Sequence, residues 1–196
     1  NHWEQQYSLS LDLYEMSASV SCIFGDINDM SDRLTEIIAN VKSFEDSLTA
    51  SSLLSKVLAA QSKYAEAIGN CLSVLSTLGE TFPEDVDLPI VKSELAVIQT
   101  TLANISIEKV KLLPPMTDKS KLHAMKFLSM LCSYCIQSKP LLVPLLACRM
   151  VRLTIENGFC DDSIIGLVTA GYGLVSIVFH NWLWCFHCCV WLILTV

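Results

Sequence analysis

The chain has 196 residues, 52 % of them apolar, and a formal net charge of −7 at pH 7, enough for one or two domains with a sizeable core. The charge is uneven: residues 1–98 hold 15 acids and 5 bases, residues 99–196 hold 5 acids and 8 bases. An acidic first half offers no basic face for a phosphate backbone, so nucleic acid is not an expected partner. The opening "NHWEQQYSLS" has neither a basic start nor an apolar run, so it is not a secretory signal, and a first residue other than Met suggests an excised or incomplete product.

Residues 1–80 read as helix after helix. Leu9, Leu13, Met16, Val20 and Phe24 recur at helical spacing and form a first stripe, broken by Gly25-Asp26. Ile27, Met30, Leu34, Ile37, Ile38 and Val41 form a second, and Leu48, Leu53, Leu54, Val57 and Leu58 a third. Tyr64, Ala67, Ile68, Cys71, Leu72, Leu75 and Leu78 form a fourth, with Gly79 as its expected C-terminal cap. A shift of 37 residues lays the second stripe on the fourth, with Ile27 on Tyr64, Met30 on Ala67, Leu34 on Cys71, Ile37 on Val74, Ile38 on Leu75 and Val41 on Leu78. That is a helical-hairpin repeat close to the tetratricopeptide period of about 34. Each such hairpin carries an apolar face that stacking on the next hairpin would bury.

Pro89, just past Asp85 and Asp87, marks the first turn of a further helix whose buried side holds Leu95, Ile98, Leu102 and Ile105. A short helix over 107–113 must end at Pro114, because Pro114 and Pro115 lack amide hydrogens and push their predecessors away from helical dihedrals. "LLPPMTD" is therefore a corner, and Thr117 or Asp118 caps a helix over 119–138 with Leu122, Met125, Leu128, Met130, Leu131 and Cys135 inward. Pro140 opens the next helix, which runs to Asn157-Gly158, and another starts at Ser163. The fold class expected is all-α: a TPR-like array of antiparallel helical hairpins, an α-solenoid of about nine helices, over residues 1–175.

Residues 176–196 stand apart as an apolar C-terminal segment. After Asp162 no charged side chain occurs, and the 23 residues 174–196 are nearly all apolar, long enough to cross a hydrocarbon layer of about 30 Å. His180, Asn181 and His187 are costly at membrane depth, and no basic residue anchors the exit side. Three readings stand for this stretch: a transmembrane helix, a core helix of a larger protein cut short, or a tail from a misread frame.

Candidate chemistry is sparse. Cys132-Ser-Tyr-Cys135 and Cys185-Phe-His-Cys188, followed by Cys189, have the spacing of zinc ligands. Cys132 and Cys135 fall inside a helix pattern, where packed thiols are expected; Cys71 and Cys148 read the same way, as small buried hydrophobes in a reducing compartment. His187 lies between Cys185 and Cys188 in the apolar tail. His123 could be a phospho-acceptor but has no activating neighbour in the sequence. Glu80, Glu84, Asp85 and Asp87 form an acidic loop without the oxygen spacing of a calcium site. There is no phosphate-binding loop, dinucleotide fingerprint or nucleophile elbow. No catalytic, cofactor-binding or metal-binding residue is assigned, and no cofactor or small-molecule substrate is expected.

Several blocks together resemble one family. "KYAEAIGNCLSVLSTLGETFP" (63–83), "LLPPMTDKSKLHAMKFLSML" (112–131), "SKPLLVPLLACRMVRLTIENGFCDDS" (138–163) and "GYGL" (171–174) are similar to the helical region that follows the AAA-type ATPase in very large signalling kinases. Those proteins join a serine/threonine kinase-like domain, the ATPase, this repeat region, a GAF sensor and often a histidine kinase. The resemblance covers about residues 7–175 and ends near Ser176, where the family would continue with an amphipathic helix. It implies a non-catalytic, cytoplasmic scaffold, part of a larger chain, that binds a protein partner or sister domains of the same protein. The alternative is a membrane-anchored helical protein with one C-terminal span.

Overall fold

A computed structural model describes residues 2–179. Its secondary structure is all-α: among the described residues there are ten helices and no strand. They are α1 (His2–Gln5), α2 (Tyr7–Phe24), α3 (Ile27–Asn40), α4 (Phe44–Ala60) and α5 (Tyr64–Thr77), then α6 (Leu88–Ala103), α7 (Ile107–Lys111), α8 (Lys119–Ser138), α9 (Leu142–Asn157) and α10 (Ser163–Phe179). The helix that the periodicity does not announce is the single turn α1. Two compact units emerge, one through Val74 and the other from Leu75. The apolar tail beyond Phe179, with Cys185, His187, Cys188 and Cys189, lies outside the described residues. No helix within the described residues is long and apolar enough to cross a membrane.

In the first unit, α2 and α3 pair, and α4 packs on both. The core gathers Trp3, Ala18, Met30, Leu34, Ile37, Ala50, Leu53 and Val57, with Tyr7, Leu11 and Tyr14 half-buried around it. The helix starts follow local chemistry: Asp26 accepts the amide of Asp29 at 3.1 Å and Ser43 that of Asp46 at 3.1 Å, each satisfying a donor that has no partner within its helix. Long-range polar contacts tie the helices. Trp3 Nε1 donates to Glu36 Oε1 at 2.9 Å, and Tyr7 Oη donates to Asp46 at 2.6 Å while accepting the Lys42 amide at 2.9 Å. Asn70 on α5 donates to Ser51 O at 2.9 Å and to Ser55 Oγ at 2.8 Å on α4.

One expected core stripe is inverted. Leu9, Leu13, Met16, Val20 and Phe24 do share one face of α2, but that face is exposed, and the face turned inward carries Ser10, Ala18 and Ser21. Periodicity locates a stripe without saying which side the domain covers; here the covered side is that of Ser10, Ala18 and Ser21 with Leu11 and Tyr14, and the expected stripe is left outside. The second and fourth stripes agree at three of their overlaid pairs, where Met30, Leu34 and Ile37 of α3 and Ala67, Cys71 and Val74 of α5 are all buried; they part at Ile38, which is exposed where Leu75 is fully buried, and Ile27 is exposed as well.

The second unit is organised around α9. From Leu142 to Thr154 nearly every residue of this helix is buried, as befits a helix apolar on all sides, and α6, α8 and α10 pack against it. α10 reaches it through Gly166, where a Cβ would come within 2.5 Å of Met150 Cβ. α9 starts at Leu142 and not at Pro140: Leu142 and Val143 donate to the carbonyls of Lys139 and Pro140 in a tight turn first. Likewise α7 stops at Lys111, short of the expected 113, leaving Leu112 and Leu113 to approach the prolines in non-helical form.

The corner at 114–118 is pinned from a distance. Phe159 N donates to Pro114 O at 2.7 Å and Met116 N to Phe159 O at 2.8 Å, an isolated parallel bridge between Pro115 and Phe159. Gly158 makes it fit: its φ is +102°, and a Cβ there would stand 2.5 Å from Pro114 O. Asp118, not Thr117, caps α8 by accepting the Lys121 amide at 3.1 Å.

Candidate functional site

The acidic loop after α5 divides its carboxylates among three tasks. Gly79, at φ +85°, ends the helix with the paired capping bonds Gly79 N to Ser76 O at 3.1 Å and Glu80 N to Leu75 O at 2.8 Å. This turn sends Glu80 inward, where its side chain is 2 % exposed. Lys121 Nζ of α8 donates to Oε1 at 3.1 Å, and Arg149 of α9 forks onto both oxygens, with its terminal nitrogen 3.0 Å from Oε1 and Nε on Oε2. Burial alone would raise the Glu80 carboxyl; the hydrogen bonds and charges of Arg149 and Lys121 outweigh it and hold it below the usual carboxylate range. Arg149 is raised in turn, first by its bond to Glu80. A carboxylate kept ionised by two cations is a tie between loop, α8 and α9, unsuited to moving protons at neutral pH.

Asp87 caps α6, accepting the Ile90 amide at 2.9 Å. Glu84 and Asp85 remain on the surface and line a cleft of about 380 Å³ with Lys139, Pro140 and Leu142. The four acids of this loop therefore do not converge, and no group of metal-ligating side chains gathers among the described residues.

The cysteines sit where small apolar side chains would. Cys71, Cys132, Cys135 and Cys148 are buried, and none of the described cysteines is in a disulfide. Burial pushes the Cys71 thiol up to about 11, against a weaker opposing effect of its Ser55 contact at 3.3 Å. Burial likewise raises Cys148 to about 12, and burial followed by the nearby Cys135 raises Cys132 far out of reach of the thiolate form. Cys132 and Cys135 lie on one helix, α8, so this C-x-x-C has no knuckle to present two sulfurs to a metal. His123, also on α8, is half-buried and lowered, first by burial and then by Lys126 and Lys119.

Two features escape a reading of local pattern. One is the Glu80–Arg149 pair, 69 residues apart; its signal is that Arg149 is the lone charge in the apolar run 140–151, a position that demands a buried counter-charge. The other is the outward stripe of α2. No protein-family model, no characterised protein and no solved structure matches the chain.

Proposed function

We propose that the chain is a non-catalytic helical scaffold, a repeat-type interaction region belonging to a multidomain signalling kinase/ATPase and binding a protein partner or sister domains. The observation that carries the reading is the 37-residue register, with α3 and α5 burying the equivalent pairs Met30/Ala67, Leu34/Cys71 and Ile37/Val74, as successive units of a TPR-like array would. The packing of α4 on both helices of the preceding hairpin supports the same arrangement. The conspicuous polar side chains are engaged in caps, ties between helices and ion pairs, the economy of a support and not of a reactive pocket. The order of the Leu-Gly-Glu-x-Phe-Pro, Pro-x-Met-Thr-Asp and Arg-Met-Val-x-Leu-Thr blocks carries the signalling assignment through resemblance. Calorimetric titration with magnesium-ATP tests the non-catalytic reading: no saturable heat is expected, and stoichiometric binding would overturn it.

A second reading rests on the apolar run 174–196, which would make the protein membrane-anchored through one C-terminal helix. Carbonate extraction of the expressed chain separates the two. Retention with the lipid supports the span, and release into the aqueous fraction removes it.

A further inference from the structure

The outer face of α2 has a more specific geometry than a scatter of exposed apolar residues. Leu9, Leu13, Met16, Val20 and Ile23 follow one another at steps of four, three, four and three, the 3.5-residue repeat of a coiled-coil seam. All five are between 49 % and 82 % exposed, and Phe24 beside them is 81 % exposed. The inward side of the same helix buries Ser10, Ala18 and Ser21, with Tyr7, Leu11, Tyr14 and Cys22 half-buried against the core. A helix that packs Leu11 and Tyr14 against its own core yet keeps five large apolar side chains in solvent carries a contiguous apolar surface of the kind that marks an interaction site.

The charges beside the seam select the occupant. With Leu13 and Val20 at heptad position a, and Leu9, Met16 and Ile23 at d, the g positions within the helix are Asp12 and Ser19. α2 carries Asp12 and Glu15 and neither Lys nor Arg. The whole first unit, through Val74, holds ten acids against four bases. A second copy would bring one acidic unit against another, and an anionic lipid surface would be repelled. We propose that the exposed seam of α2 receives a single amphipathic helix with an apolar heptad stripe and Lys or Arg along its flanks. The proposal rests on the scaffold reading and names its surface: an apolar helix face, where the repeat architecture alone would suggest a concave polar one.

The test uses the full chain and two labelled synthetic helices of equal length, each with Leu at a and d, one with Lys and the other with Glu at e and g. Fluorescence anisotropy reads their binding at low and high salt. The Lys-flanked helix is expected to bind at one equivalent, more weakly as salt rises, and at least about tenfold tighter than the Glu-flanked one. Leu13→Gln with Val20→Gln, both exposed sites, should weaken it by about tenfold or more with far-UV circular dichroism unchanged. Asp12→Lys should narrow the preference between the two helices. Equal affinity for both helices, no binding, or binding indifferent to the Leu13/Val20 pair overturns the proposal. So does self-association in sedimentation that the pair abolishes, which assigns the seam to a second copy, and so does seam-dependent binding to phosphatidylcholine vesicles in place of the helices. Binding that survives the Leu13/Val20 pair leaves the scaffold reading intact and moves its surface elsewhere, whereas only nucleotide binding removes that reading.

Discussion

Glu80→Gln should weaken the second unit selectively at neutral pH. The amide keeps the size of the side chain and one oxygen acceptor but removes the charge facing Arg149 and Lys121. Three charge-assisted hydrogen bonds reach this carboxylate, each contributing about 1.5–3 kcal/mol in favourable settings. The full sum is not at risk, because the Arg149 and Lys121 side chains are 30 % and 27 % exposed and regain water once the carboxylate is gone. A net loss of about 2–3 kcal/mol follows, below the range for a fully buried pair losing one member. Urea unfolding at pH 7 reads it as a lower midpoint at unchanged slope. The pH dependence separates charge from shape. Glu80 is held below its unfolded value, so the unfolded chain binds the extra proton, and the contribution of this group is complete above the ordinary carboxylate pKa. It fades as pH falls through the lower folded value. Wild type and Glu80→Gln should therefore converge in acid. A gap that stays constant from pH 7 into the acid range, or no gap at pH 7, would refute the electrostatic account. A cycle with Arg149→Met should recover a coupling of about 1–2 kcal/mol.

Gly158→Ala should cost about 3 kcal/mol, from a non-glycine residue at positive φ and a methyl against Pro114 O, measured as a drop in thermal midpoint. Leu146→Ala removes a fully buried side chain from the central helix α9 and should cost about 3 kcal/mol in the same assay. Alkylation of the native protein followed by mass mapping should label Cys22 and Cys160, which are partly exposed, and spare Cys71, Cys132, Cys135 and Cys148 until urea unfolds the chain. His123 is lowered relative to its unfolded value, so below about pH 6.5 the unfolded state takes up the proton more readily and stability declines; His123→Gln should flatten that segment of the profile.

Legibility in the sequence tracked how local the cause was. α8 was readable end to end because both boundaries are local: Asp118 caps it and Lys139-Pro140 stops it. Gly79 and Gly158 were readable as helix ends, yet their further roles, sending Glu80 inward and admitting Pro114, depend on segments far along the chain. The acidic loop looked like one feature because its carboxylates are neighbours in sequence. It is three features in space, because a turn at Gly79, a cap at Asp87 and a surface stretch between them point their side chains apart. Cys132 and Cys135 went the other way: two thiols at a ligand spacing are core packing, since both are buried on one helix and burial opposes the thiolate of Cys132.

The inversion of α2 has an energetic corollary for the first unit. The stripe of Leu9, Leu13, Met16, Val20 and Phe24 contributes little to the core from solvent, so the unit is held mainly by other contacts. Met30, Leu34 and Ile37 of α3 and Leu53 and Val57 of α4 supply the aliphatic burial, and Trp3 closes one end with its indole nitrogen on Glu36. Tyr7 stitches α2 to the α3–α4 connection through Asp46 and the Lys42 amide, with the Lys42 ammonium 4.3 Å from its ring. These aromatic and polar ties reach across 33 to 39 residues. They fix α2 in place by its N-terminal half while leaving its apolar seam open. Had the same helix turned Leu9 and Leu13 inward, the unit would gain burial and lose the seam. The sequence instead places Ser10, Ala18 and Ser21 beside Leu11 and Tyr14 on the inner side, which is intelligible if the outer face is the one that another helix must find.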